Sequence, residues 1–204
     1  MRLLLRSFLI TALTVLRCIS GQQVWANLPT VPQGFNASVR TEINASVQAV
    51  WDATLDWPSY PTWNPFVRKS TITDKTFTPL DPSQQKVLQG AYAVFSVQIP
   101  PLPLPVDAQT PDVWWNTQNS KELVTHVQAD VYRVAWKAML FPEWFMTSER
   151  WTGVSLSSNG MAVYESREVF YGPGAKLLEA VMAKSLQQGF DAQGAGLKLY
   201  LEKK

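Results

Sequence analysis

Ile43-Asn44-Ala45-Ser46-Val47-Gln48-Ala49-Val50-Trp51-Asp52-Ala53-Thr54-Leu55-Asp56-Trp57-Pro58-Ser59-Tyr60-Pro61-Thr62-Trp63-Asn64-Pro65-Phe66-Val67 changes its hydrophobic period twice. Val47, Val50, Trp51, Thr54 and Leu55 recur at i, i+3, i+4, i+7 and i+8, which is one face of a short helix. Ser46 stands where an N-cap belongs, because its hydroxyl can accept a hydrogen bond from an unpaired first-turn N–H. Upstream, Val39, Thr41 and Ile43 alternate with polar residues, so 37–44 reads as a strand. Downstream, Pro58 and Pro61 end the helical pattern and leave a second short helix or turn over 58–64.

Farther along, strand patterns fall at 66–73, 90–99, 121–128, 130–139, 145–156 and 161–171, with Asn159-Gly160 as a hairpin turn between the last two. Past Gly172-Pro173-Gly174 the period becomes helical again through Leu177, Leu178, Val181, Met182, Ser185 and Leu186, predicting one long helix over about 174–201. Gly189, Gly194 and Gly196 each cost that helix about 1 kcal/mol relative to Ala. Their positions admit close approach of a ligand or of the sheet. Strand, two short helices, a run of strands and one long helix make an α+β layer. A curved antiparallel sheet with a long C-terminal helix across it leaves a space between the two.

The quoted stretch resembles the opening of the SRPBCC superfamily, the START-like helix-grip group of lipid carriers, coenzyme Q-binding proteins and polyketide cyclases. It shares an isoleucine strand, a small-residue cap, Val-Trp on the first helix and then Tyr-Pro-x-Trp-Asn-Pro-Phe. Arg133-Val134-Ala135-Trp136, Glu149-Arg150, Gly189-Phe190 and Leu197-Lys198 are similar to fungal members. The resemblance covers residues 35–204 and implies a helix-grip fold, an internal pocket and apolar ligands. It does not imply catalysis, since carriers and cyclases share the fold.

Residues 1–20 carry Arg2, Arg6 and Arg17, no acid, and an apolar run over 7–16, which reads as a signal peptide. Cleavage after Ser20 or Ala26 suits the small-residue rule. At 100° per residue the three arginines fall within about 60° on a helix, which also describes a mitochondrial transit peptide, and a retained leader is a third reading. The sequons at Asn36 and Asn44 lean toward a secreted or endomembrane-lumen location. Residues 21–34 read as a linker. Removing the leader leaves 15 basic residues against 16 acidic ones, a balance with no electrostatic footprint for nucleic acid. Cys18 is the only cysteine and His126 the only histidine, which argues against a disulfide, a thiol nucleophile, or a zinc or copper site. No cofactor is implied.

The nine Trp among a 46% hydrophobic composition bury about 150–250 Å² each, more than one sheet–helix layer accommodates as plain core. The candidates for lining a ligand pocket are Trp63, Phe95, Trp115, Tyr132, Trp136, Trp151, Met182 and Leu186. His126 reads as a sheet histidine. Glu149, Glu165 and Glu168 sit near Arg133, Arg150 and Arg167, which suggests cross-strand ion pairs. Were the chain an enzyme, Glu149 would be the first candidate acid, provided Arg150 turned outward and did not pair with it. Ile99-Pro100-Pro101-Leu102-Pro103-Leu104-Pro105-Val106 reads as an extended flap over the pocket mouth, a recognition motif or a connection. Three functions stay open: binding of a lipid, isoprenoid or polyketide; a cyclase or isomerase on the same fold; and a protein-binding module acting through the prolines.

Overall fold

Alternation and capping have the consequences expected of them. The computed structural model describes residues 25–203; the leader over 1–20, with Cys18, lies outside the described residues. Strand β1 (Phe35–Ile43) is followed at Ser46 by an N-cap, whose hydroxyl accepts from the Ala49 N–H at 3.1 Å and opens α1 (Val47–Leu55). Val50, Trp51, Ala53 and Thr54 form the buried face of α1. The prolines then convert the chain to a 3-10 helix over Trp57–Thr62. The Tyr60 hydroxyl donates to the Thr54 carbonyl at 2.7 Å, satisfying one of the acceptors that the end of α1 leaves open. Burial pushes the Tyr60 phenol well above its ordinary pKa, so it stays neutral.

Six more strands follow: β2 (Val67–Thr73), β3 (Tyr92–Gln98), β4 (Thr117–Gln128), β5 (Arg133–Ala138), β6 (Thr147–Leu156) and β7 (Ala162–Tyr171). They form one antiparallel sheet in the order β1-β7-β6-β5-β4-β3-β2. The Asn159-Gly160 turn joins β6 to β7, with Gly160 at φ 84°. Helix α2 (Pro173–Glu202) crosses the inner face of the curved sheet. The architecture is the α+β helix grip that the sequence indicated.

The glycines of α2 face the rest of the protein. A Cβ on Gly189 would lie 2.6 Å from the Phe66 ring, and one on Gly196 would lie 2.4 Å from the Trp63 carbonyl oxygen. Atoms of Phe66 and Trp63 take up the space that these glycines leave. The proline segment is likewise part of the packing, and it meets the cavity through Ile99 alone. Leu102 is buried, its N–H bonds to the Pro65 carbonyl at 3.0 Å, and Leu104 reaches the neighbourhood of Gly196.

Part of the stretch read as a linker crosses the outer face of the sheet. The Ala26 and Asn27 N–H groups donate to the two carboxylate oxygens of the fully buried Glu165 at 2.9 and 2.8 Å, and Arg40 pairs with the same carboxylate. The Asn27 side chain donates to the Val131 and Val154 carbonyls, and Arg133 Nε donates to Asn27 Oδ1 at 2.7 Å. Gly153 makes room for this strap, since a Cβ there would sit 2.4 Å from the Asn27 carbonyl oxygen.

Gly196→Ala should lower stability in urea unfolding by about 1–3 kcal/mol, the usual penalty for overpacking, although Ala is the better helix former. Unchanged stability would show that α2 can move away from Trp63 at no cost.

Candidate functional site

The pleat sorts the sheet residues between two faces. On β5 and β6, Trp136 stands directly opposite Arg150, and on β6 and β7 Arg150 stands opposite Glu168. Directly paired residues share a face, so these three point inward together. Glu122 pairs with Ala138 one step along, on the same side as the fully buried Val124. Between this face and α2 lies a cavity of about 280 Å³, room for roughly nine waters at about 30 Å³ each. Phe66, Phe95, Trp136 and Phe170 wall it from the sheet side, and Leu178, Met182 and Leu186 from α2. Leu140 and Phe141, in the β5–β6 loop, line the cavity yet remain exposed to solvent, which marks its mouth.

A small polar cluster interrupts the apolar wall. Arg150 is 3% exposed. Its Nε donates to the Ser166 hydroxyl at 2.9 Å and its Nη2 to the Gln193 side-chain Oε1 at 3.0 Å. Gln193 in turn donates to the Tyr164 hydroxyl. The guanidinium carbon lies 4.1 Å from the centre of the Phe190 ring and 5.5 Å from that of Trp136, within cation–π range. Among the described residues no carboxylate forms a salt bridge with it. Two carboxyls line the same cavity. Glu168 accepts from the Ser148 hydroxyl at 2.8 Å; burial raises its pKa against the opposing pull of Arg150 and of that hydrogen bond. Glu122 is pushed up to about 8, first by burial and then by the neighbouring charge of Glu168. Near neutrality Glu122 therefore carries its proton, and the cluster holds one permanent cation facing acids that resist ionisation.

Of the eight aromatic and aliphatic candidates, Phe95, Trp136, Met182 and Leu186 stand on the cavity wall. The other four do not. Trp63 is core, packed edge-on against Tyr60 and stacked near Tyr200 beneath the last turns of α2. Tyr132 sits at a left-handed turn (φ 53°) against Trp51, with its hydroxyl donating to Gln48. Trp151 alternates with Arg150 and so faces outward, where its ring lies 4.8 Å from that of His126. Trp115 is 70% exposed and packs edge-on against Trp114 before β4.

Glu149 also faces outward, accepting from the Thr125 hydroxyl at 3.0 Å, with His126 Nδ1 4.0 Å away. The condition set for it is reversed, because Arg150 is the residue that turns inward. The acids in the cavity are Glu122 and Glu168. Glu168 shares its phase with Tyr164, Ser166 and Phe170, and Glu122 shares its phase with Val124; both patterns were available in the sequence.

A helix-grip α+β protein with an apolar, partly polar-lined cavity is the class that this fold and site define. No family model matches the chain, and neither does any curated protein. Solved structures do share its fold. A hypothetical protein, jhp0584 from Helicobacter pylori, superposes with a TM-score of 0.61 at 11% identity, over 88% of this chain and 99% of that one. The structure of Ara h 8.0201 gives 0.52 at 10% identity, over 83% and 98%. A START superfamily protein from Mycobacterium smegmatis gives 0.50 at 14% identity, over 83% and 99%. The chain thus has the START-like fold, and at these identities the likeness is one of fold alone.

The buried acids make stability depend on pH with a definite sign. Glu122 keeps its proton in the folded chain from its ordinary value of 4.5 up to about 8, while the unfolded chain releases it. Stability present below pH 4.5 is therefore lost as pH rises toward 8. Glu122→Gln should remove this loss. Measured by urea unfolding, its stability relative to the unaltered protein should rise by up to about 1.4 kcal/mol per pH unit across pH 5–8. A difference that stays constant with pH would refute the assignment.

Proposed function

We propose that this protein binds a hydrophobic small molecule (a lipid, isoprenoid or polyketide) in the cavity between α2 and the sheet. The observation that carries the reading is the wall itself: aromatic and aliphatic side chains surround the space on both sides, and one compact polar cluster breaks it. Pockets of this composition, mostly apolar with a few convergent polar groups, are the usual small-molecule sites. The START-like fold supports it, since the same fold encloses a pocket in the carriers that the sequence resembles. Mass spectrometry of an organic extract of protein purified from its source is the direct test: a stoichiometric apolar compound supports the reading, and an empty extract combined with no uptake of apolar probes defeats it. The fungal-type stretches, Arg133-Val134-Ala135-Trp136 and Glu149-Arg150, support placing the chain beside fungal members of the group.

A second reading rests on Glu122. A carboxyl with a pKa of about 8 can donate a proton near neutrality, as a polyketide cyclase or isomerase would require. Turnover of a supplied polyketide that disappears in Glu122→Gln would establish it; binding without turnover would leave the carrier reading.

For processing, we propose that the leader is removed upstream of Ala26, directing the protein to the secretory pathway. Removal after Ala26 would strip Glu165 of one of its two backbone donors. N-terminal sequencing of the cellular protein should then begin between residues 21 and 26; an intact Met1 would refute it.

The two tryptophans on opposite faces give a paired control. Trp136→Phe should weaken the binding of an apolar fluorescent probe severalfold. Trp151→Phe should leave binding unchanged, because its ring faces away from the cavity. Equal effects of the two would remove the cavity as the binding place.

A further inference from the structure

Among the described residues Arg150 is the one arginine or lysine on the cavity wall, and no carboxylate forms a salt bridge with it. Its hydrogen-bond partners, Ser166 and Gln193, are neutral, and each is fixed by a further neutral group: Ser166 by Thr152 at 2.9 Å and Gln193 by Tyr164 at 3.0 Å. The guanidinium is thus held in one orientation without being discharged. Two of its five N–H donors are engaged in these bonds. Burying a cation without a counter-charge is expensive, and the rings of Phe190, Trp136 and Phe66 offset only part of that cost.

We infer that the ligand of this cavity is an apolar acid, whose carboxylate seats against Arg150 and whose hydrocarbon body runs between Trp136 and the Leu178–Met182–Leu186 face of α2. The inference rests on the binding function proposed above and adds the chemistry of the head group. Arginine presents a planar fork that matches a carboxylate. Glu168, which accepts from the Ser148 hydroxyl directly beside Arg150 on the wall, and Glu122 across from it each offer a carboxyl O–H donor while protonated. The groups facing the guanidinium are accounted for element by element. β4 contributes Glu122, β5 Trp136, β6 Ser148 and β7 Ser166 and Glu168; α2 contributes Gln193 and Phe190. None is a second cation, and the nearby Tyr60 and Tyr164 are phenols. An anionic head is therefore attracted by Arg150 and repelled only if the two glutamates ionise.

The test compares one chain length with three heads: decanoic acid, decanol and decylamine, titrated calorimetrically at pH 6.5 into the full-length protein. Decanoate should bind at least about tenfold more tightly than decanol, the margin typical of a charge-assisted contact, with decylamine weakest. Arg150→Met should bring the acid and the alcohol to similar affinities while leaving decanol binding within about threefold. Raising the pH to 9 should erode the decanoate advantage in the unaltered protein and less so in Glu122→Gln. Equal binding of acid and alcohol by the unaltered protein would overturn the inference while leaving a hydrophobic site. Failure of all three to bind would overturn the binding function itself. Should Arg150→Met fail to fold, the ranking of the three heads in the unaltered protein decides the matter.

Discussion

Helix α2 can approach the sheet closely only where it carries no side chain, and the placement of every other element around the cavity follows from that. Gly189, Gly194 and Gly196 lie in its C-terminal half, where a Cβ would run into Phe66, Val39 and Thr41, or Trp63. Its N-terminal half presents Leu178, Met182 and Leu186 instead. A rod seated tightly on the sheet side at its C-terminal end, and held off farther up by these bulky side chains, leaves a wedge of space that is the cavity; at its N-terminus Gly174 lets the rod close again on Phe145 and Met146. The proline segment and the 3-10 helix close the tight end: Leu102 is buried against Pro65, and Arg68 ties the Pro61 and Asn64 carbonyls to the β3–β4 loop through Asp112 and the Asp107 and Thr110 carbonyls.

Within the wedge, low polarity sets the chemistry. Burial keeps the carboxyl neighbours of Arg150 from ionising easily, because a full charge there must be supported by partners and not by water. The cluster is a poor way to stabilise the fold and a good way to select an occupant. Its neutral supporting network, from Thr152 through Ser166 and from Tyr164 through Gln193, fixes the guanidinium before any ligand arrives.

Elements governed by local rules were legible in the sequence. The Ser46 cap, the proline break after α1, the Asn159-Gly160 turn and the change of period at Gly172 each depend on a few adjacent residues. Which face a strand residue takes depends on register, and there the reading divides. Glu149 and Arg150 differ by one position, so a phase error of one residue exchanges the surface for the cavity. Bulges compound this: the β4–β5 register shifts between Val124 and His126, and the β2–β3 register between Val67 and Lys69. Trp136 and Trp151 are both pocket candidates by sequence, yet Trp136 opposes Arg150 while Trp151 opposes Ala135, so the two rings lie on opposite faces. The abundance of Trp was read as a surplus that must line a pocket. Trp114, Trp115 and Trp144 are instead mostly exposed, outside both core and cavity, which no count of residues could reveal.

The strap across the outer face bears on where this domain begins. Sequence pattern and the first strand both suggest residue 35, yet the Glu165 carboxylate is buried beneath Ala26 and Asn27, which donate to both of its oxygens. A version of the domain cut at residue 35 would keep every strand and both helices, but it would uncover Gly153, leave Arg133 without its Asn27 acceptors, and leave Arg40 as the sole partner of Glu165 among those described. The outer sheet would then expose the Glu165 carboxylate that the strap now covers. The hydrogen-bonded structure is thus longer than its secondary structure, for it takes in Ala26 and Asn27 through their bonds to a single glutamate.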